Sequence, residues 1–348
     1  MMKTRIAALG LALALTGGSA LAQAYYEVEN RSNFSSPQFA TVEGRRATPV
    51  MPFPTFTATT GGARYAASGA PTTSPGHAPD PGALAAARVA YADQWAMLSE
   101  PAPASASANF AGEPNTFTQY CENCDFENLN YPQIAMGRLF IDTGGGTATC
   151  SATVIGSNLI VTAAHCCYNH GTSSMNPGFT FVPAYRNGAA PVGSFNWSRV
   201  RVLASYRNNP RRSNDICLIR LQADGQGNHV SYYTGWVGNA RNFGYWLNLH
   251  AIGYPGNIGG GEYMELCTAT TSRPPRGCDR NAVLNMGCSM TYGASGGSWS
   301  LAYRNGTYVT SVVSGYDSTT CTGEFETAFN GPLFTDGNFG ALCGGDWC

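Results

Sequence analysis

The pentapeptide Gly293-Ala294-Ser295-Gly296-Gly297 places a hydroxyl in a turn of small residues, where a carbonyl group can approach the backbone closely. A serine hydroxyl is a poor nucleophile at neutral pH. Acyl transfer through it requires an imidazole to take its proton and a carboxylate to orient that imidazole. The chain has five histidines, at 77, 165, 170, 229 and 250, and all of them precede Ser295. His165 closes the run Leu159-Ile160-Val161-Thr162-Ala163-Ala164-His165-Cys166, which reads as a β-branched strand entering a tight turn. Asp215 stands in Asn214-Asp215-Ile216-Cys217-Leu218, at the start of another apolar run. The N–H groups of Gly293 and Ser295 are placed to face a developing oxyanion, an arrangement contributing about 3 kcal/mol per donor.

Taken singly, each of these residues fits a structural role as well. A strand-end aspartate commonly caps a turn, and serine is common in glycine-rich loops. Asp142 and Asp224 are alternatives to Asp215, but both read as turn residues. The G-x-S-x-G pattern also fits the strained strand-to-helix turn of α/β-hydrolases, whose histidine follows the serine. No histidine follows Ser295, and the alternation of strands and helices which that turn requires is missing. His170, His229 and His250 are read as structural.

The motifs together are specific. Thr162-Ala163-Ala164-His165-Cys166 resembles the histidine motif of the chymotrypsin/trypsin family of serine peptidases, and Cys150 lies 16 residues before Cys166. The resemblance implies a disulfide between Cys150 and Cys166. Asn214-Asp215-Ile216-Cys217-Leu218 is similar to the family's aspartate motif, with Cys217 replacing a small residue. Gly293 to Gly297 is similar to its serine motif, with Ala294 replacing an aspartate. Further matches point to the bacterial, glutamyl-endopeptidase-like branch: Gly137-Arg138-Leu139-Phe140, Phe181-Val182-Pro183-Ala184-Tyr185, Gly253-Tyr254-Pro255 and Cys288-Ser289-Met290-Thr291. The implied function is a serine endopeptidase acting through an acyl-enzyme, with catalytic residues His165, Asp215 and Ser295 and an oxyanion hole at Gly293 and Ser295. A binding protein that kept the fold but lost turnover is the alternative, and an esterase without peptidase activity is a third reading.

The resemblance also places Ser289, Met290, Ser314 and Gly315 at the substrate-binding pocket. No acidic floor is evident there, so an uncharged substrate side chain is expected. Ala294 cannot pair with a new N-terminal amine, as the corresponding aspartate does in mammalian-type relatives, so activation must proceed differently. The implied fold is all-β: two six-stranded antiparallel barrels, about 130–225 and 245–340, with the triad in the cleft between them. Short apolar or alternating runs punctuated by Gly, Asn and Pro agree with such strands.

Composition fits an exported β-protein: only 12% of residues are charged and 42 are glycine. A net charge of −1 argues against nucleic acid as a partner. Protein or peptide substrates, a monomeric state and no metal or organic cofactor are expected. Residues 1–22 read as a secretory signal peptide: Lys3 and Arg5, an apolar run from Ile6 to Leu15, then small residues ending at Ala22, with Ala24 an equally readable cleavage position. The run is too short to span a bilayer, so a secreted location, periplasmic or extracellular, is expected. The 12 cysteines all lie beyond residue 120, an even number that in an exported chain implies disulfides. Zinc at Cys121-x-x-Cys124 is the competing use. Cys288 has two possible partners, Cys267 and Cys321.

Residues 23–116 lack cysteine, and 11 of the 20 prolines fall among them. They read as a loosely ordered region or as a pro-segment preceding a peptidase domain at 117–348. Within them, Asp80-Pro81 signals a helix start, followed by Leu84, Tyr91, Trp95 and Leu98 at helical spacing. Its apolar stripe must be covered by the catalytic unit.

Overall fold

The computed structural model describes residues 24–32, 35–56, 66–67, 69–98, 117–124, 129–274, 281–316 and 329–348. The expected signal peptide lies outside them, as do Cys278 and Cys321.

Six strands form the first barrel: β1 Met136–Asp142, β2 Thr147–Gly156, β3 Leu159–Thr162, β4 Gly178–Pro183, β5 Phe195–Leu203 and β6 Cys217–Leu221. They pair antiparallel in the order β1-β2-β3-β6-β5-β4, and β4 returns to β1, which closes the ring. Closure removes the open edges a sheet would otherwise present. All four residues of β3 are buried, so its Leu-Ile-Val-Thr sequence suits a strand covered on both faces.

The second barrel consists of β7 Asn248–Gly253, β8 Glu265–Thr270, β9 Val283–Met286, β10 Ser298–Leu301, β11 Tyr308–Val312 and β12 Phe329–Pro332. β8-β7-β10-β11 form one run of ladders and β9-β12 another. The two runs are joined by the Ser272–Asn285 bridge on one side and by the Ser314 N–H donating to Asn330 O at 2.9 Å on the other. Its core gathers Leu249, Ala251, Met286, Trp299 and Phe329.

The described part of the N-terminal region is not loose. Tyr25–Glu29 pairs antiparallel with β5 over five residues, and its Glu27 carboxylate accepts from Arg199 and Arg201. Thr72–Ser74 pairs with Gly238–Arg241, itself parallel to β11. The prolines that argue against order inside a sheet fall here between these short pieces rather than within them. The single helix expected after Asp80-Pro81 is two, Ala83–Ala90 and Ala92–Met97, because Tyr91 leaves helical geometry at φ −122°, ψ 38°. The Tyr91 ring instead packs edge-on against Tyr233 of the short helix Val230–Thr234, and Trp95 Nε1–H donates to Pro191 O at 2.8 Å between β4 and β5, so the stripe is covered by that helix and by barrel one. Among the described residues no helix is long and apolar enough to cross a membrane.

Candidate active site

Each barrel delivers part of one buried constellation. β3 ends at Thr162, Ala163 is extended, and the turn Ala164–Cys167 carries His165. Asp215 follows the short turn Arg212–Asn214 and stands two residues before the start of β6. Ser295 lies in the turn before β10. The serine turn rests on β2 and on the end of β3: Ser151 N–H, in β2, donates to Ser295 O at 2.7 Å. Gly296, at φ +78°, comes so close that a Cβ there would lie 1.9 Å from Thr162 Oγ1 and 2.8 Å from Ala163 N. Only glycine fits that approach.

The polar chain is continuous. Asp215 Oδ1 accepts the backbone N–H of His165 at 2.8 Å, and Oδ2 lies 2.8 Å from His165 Nδ1. His165 Nε2 is 2.7 Å from Ser295 Oγ. A carboxylate accepts only, so Nδ1 carries the proton and the Nε2 lone pair faces the serine hydroxyl. Asp215 and Ser295 have no exposed surface, and His165 is 9% exposed. The Ser314 hydroxyl donates to Asp215 Oδ2, and Arg212 Nη1–H in turn donates to Ser314 Oγ at 3.2 Å. Three donors, the His165 backbone N–H, its Nδ1–H and the Ser314 hydroxyl, thus converge on a carboxylate that has no exposed surface.

Two disulfides hold the histidine turn. Cys150–Cys166 links it to β2, with the Cα atoms 6.4 Å apart. Cys167–Cys217 joins the residue two beyond His165 to the residue two beyond Asp215. By motif position alone Cys217 reads only as a replacement for a small residue. The available signal was two adjacent cysteines after the histidine and one after the aspartate. Cys267 is bonded to Cys288, Cys343 to Cys348, and Cys121 to Cys124, so the C-x-x-C sulfurs are spent on each other.

The other sequence-assigned residues divide. Gly293 donates its N–H to Met51 O at 3.2 Å. Ser289 Oγ donates to Gln119 Oε1, whose amide Nε2–H donates to Glu265 Oε2 at 3.3 Å. Burial pushes the Glu265 carboxyl up to about 7. Met290 is fully buried in the core of barrel two. Ser314 spends its hydroxyl on Asp215 rather than facing open cleft, and Gly315 lies under Phe53. Asp142 and Asp224 are turn residues: Asp142 Oδ1 accepts from Gly144 N–H, and Asp224 Oδ1 from Gln226 and Asn228 N–H. His170 lies near His165 on a cavity of about 470 Å³ that Met51, Phe56 and Tyr206 also line. Burial lowers its pKa and it packs on Tyr168 and Tyr206. Sequence reasoning missed Met51, Phe53 and Arg212, for which motif spacing carries no signal.

Two antiparallel barrels with a Ser-His-Asp chain across their junction define the class of chymotrypsin-like serine peptidases. The family model described as Trypsin matches residues 130–334, and the chain belongs to that family. The protein is thus a serine endopeptidase, a hydrolase. Among solved structures it is similar to the protease Anisep from Arthrobacter nicotinovorans, at 27% identity and a TM-score of 0.52 over 59% of this chain and 91% of that one. It is also similar to AL20, a thermostable serine protease from an extremophilic microorganism, at 25% identity and a TM-score of 0.53 over 60% of this chain and 95% of that one. A Glu endopeptidase structure shares the fold at 18% identity and a TM-score of 0.52, covering 66% of this chain and 95% of that one. No curated protein matches the sequence.

Proposed function

We propose that this endopeptidase works through His165, Asp215 and Ser295 and an acyl-enzyme. Ser295 Oγ attacks the scissile carbonyl while His165 Nε2 takes its proton. Asp215 holds the imidazole in the Nδ1–H tautomer and balances the imidazolium that forms. The N–H groups of Gly293 and Ser295 stabilise the oxyanion. His165 then protonates the leaving amine, and water releases the acyl group by the same steps in reverse roles. The observation that carries this reading is the unbroken chain Asp215–His165–Ser295 at 2.8 and 2.7 Å.

The five disulfides among the described residues point to an oxidising compartment, and the leading segment 1–22 to export from the cell. Residues 23–116 are the pro-segment in this reading, and 117–348 the peptidase domain. The test is steady-state peptide hydrolysis by the domain after removal of 23–116, its start fixed by N-terminal sequencing. Ser295→Ala and His165→Ala should each lower kcat by about 10⁴ or more with KM nearly unchanged, and the double variant should be no worse than either alone. Retention of activity in Ser295→Ala would contradict the assignment.

A further inference from the structure

The constellation is closed off from solvent by a stretch of the same chain. Pro49 O accepts from Thr149 Oγ1–H at 3.3 Å, and Val50 pairs parallel with Thr149. Met51 donates its N–H to Thr149 O at 2.8 Å, and its carbonyl takes the Gly293 N–H at 3.2 Å. Two residues on, the Phe53 ring meets Tyr292, Tyr316 and Phe329 edge-on, with centroids 5.3, 5.6 and 6.3 Å away. It also lies directly over Gly315. Phe56 then packs on Tyr206 and under the Arg212 guanidinium.

We propose that Pro49–Phe56 is an intrachain plug of the catalytic cleft, and that the seat of Phe53 is the pocket that selects an aromatic side chain in substrates. This rests on the triad reading. The plug uses the N–H group that an oxyanion would need, so it competes with substrate for the same donor. The seat abuts the serine turn at Tyr292 and the strand of Ser314 at Gly315–Tyr316, so a side chain there belongs to a backbone lying across Ser295. Its walls are the rings of Tyr292, Tyr316 and Phe329, with the Arg212 guanidinium beside Gly315 bonded to Ser314 Oγ and Tyr316 O, and aromatic rings favour such edge-on partners. The Tyr316 O–H is spent on Met290 O at 2.7 Å and Cys288 O at 2.9 Å, so it has no donor left for an anionic guest.

Two features suit the stretch to block rather than to be cut. The Met51 and Phe53 carbonyls are each followed by proline, whose ring carbons crowd the nitrogen that His165 would have to protonate. Pro49, Pro52 and Pro54 also pre-extend the backbone, which lowers the ordering cost of holding it in the cleft. Upstream, Arg45 donates to Gly188 O at 2.8 Å and Arg46 to Asn187 O at 2.8 Å, anchoring the plug to barrel one. Release therefore requires a cut in the chain or loss of this anchor.

The test compares full-length chains, confirmed intact by mass, on tetrapeptide p-nitroanilides ending in Phe, Lys or Glu. Wild type should be nearly silent. Phe53→Ala should raise the initial rate on the Phe substrate at least ~10-fold and Phe53→Tyr should not. The free peptide of residues 48–56 should inhibit the Phe53→Ala chain, and the same peptide with alanine for phenylalanine should not, so a weakened fold cannot mimic the result. A domain freed of 23–116 that cuts none of the three substrates would overturn the peptidase reading itself. A freed, active domain beside an intact wild type that is equally active would overturn the plug alone. Preference of the freed domain for the Lys or Glu substrate would overturn the aromatic pocket.

Discussion

The disulfide between Cys167 and Cys217 should set both stability and rate, because it ties the two segments that bear His165 and Asp215. The bond spans a sequence separation of 50 residues. Closing a loop of that size removes about 4 kcal/mol of unfolded-chain entropy, against about 2 kcal/mol for a loop of five. Cys343–Cys348, with a separation of 5, provides that comparison within the same molecule. The perturbation is Cys167→Ala with Cys217→Ala, which leaves no unpaired thiol, set beside Cys343→Ala with Cys348→Ala. Urea unfolding followed by tryptophan fluorescence, in a Ser295→Ala background that prevents self-digestion, gives the two free-energy losses. The central pair should cost about 2 kcal/mol more than the terminal pair. In chains that retain Ser295, freed of 23–116, the central pair should also lower kcat about tenfold or more with little change in KM. Sub-ångström slack between base and nucleophile is felt at that scale. Equal losses of stability for the two pairs, or an unchanged kcat for the central one, would refute the reasoning.

Glu265 supplies a pH test. Its carboxyl is 2% exposed and is raised from the usual 4.5 up to about 7, because burial disfavours the charge. The folded protein thus holds this proton more tightly than the unfolded chain. The contribution is full below about pH 4.5 and is lost as pH rises to about 7, a span corresponding to about 3 kcal/mol. Glu265→Gln should therefore raise Tm relative to wild type at pH 8 and leave it nearly unchanged at pH 4. Ser314→Ala removes a donor from a fully buried carboxylate, a loss of about 1–3 kcal/mol. It should lower kcat more than it raises KM in hydrolysis by the freed domain. A change confined to KM would return Ser314 to the pocket wall assigned to it from sequence.

The constellation was legible because its members sit in contiguous motifs whose order excluded other arrangements, and most barrel strands were legible because β-branched runs advertise themselves. β9 and β12 were not. Phe329-Asn330-Gly331-Pro332 has the composition of a turn, yet it pairs with Val283–Met286 in full register. Gly331 is there because a Cβ would lie 2.3 Å from Ser311 Oγ and 2.4 Å from Val312 O, a constraint set by a neighbour distant in sequence. The region before residue 117 was legible only as proline-rich. Its strand at Tyr25–Glu29 and the bonds of Met51 to Thr149 and Gly293 depend on surfaces that exist only after the barrels form. Ser314 illustrates the same limit inside the site. Motif position placed it beside the substrate, and only the geometry shows its hydroxyl on Asp215.

The account stands or falls on Ser295 as an activated nucleophile. The direct measurement is labelling with a fluorophosphonate, read by intact mass and peptide mapping on the folded domain freed of residues 23–116. One adduct per chain, on Ser295, is predicted, absent after denaturation and strongly slowed in His165→Ala. A folded, disulfide-intact domain that takes no adduct, or takes it on a different residue, would contradict the claim.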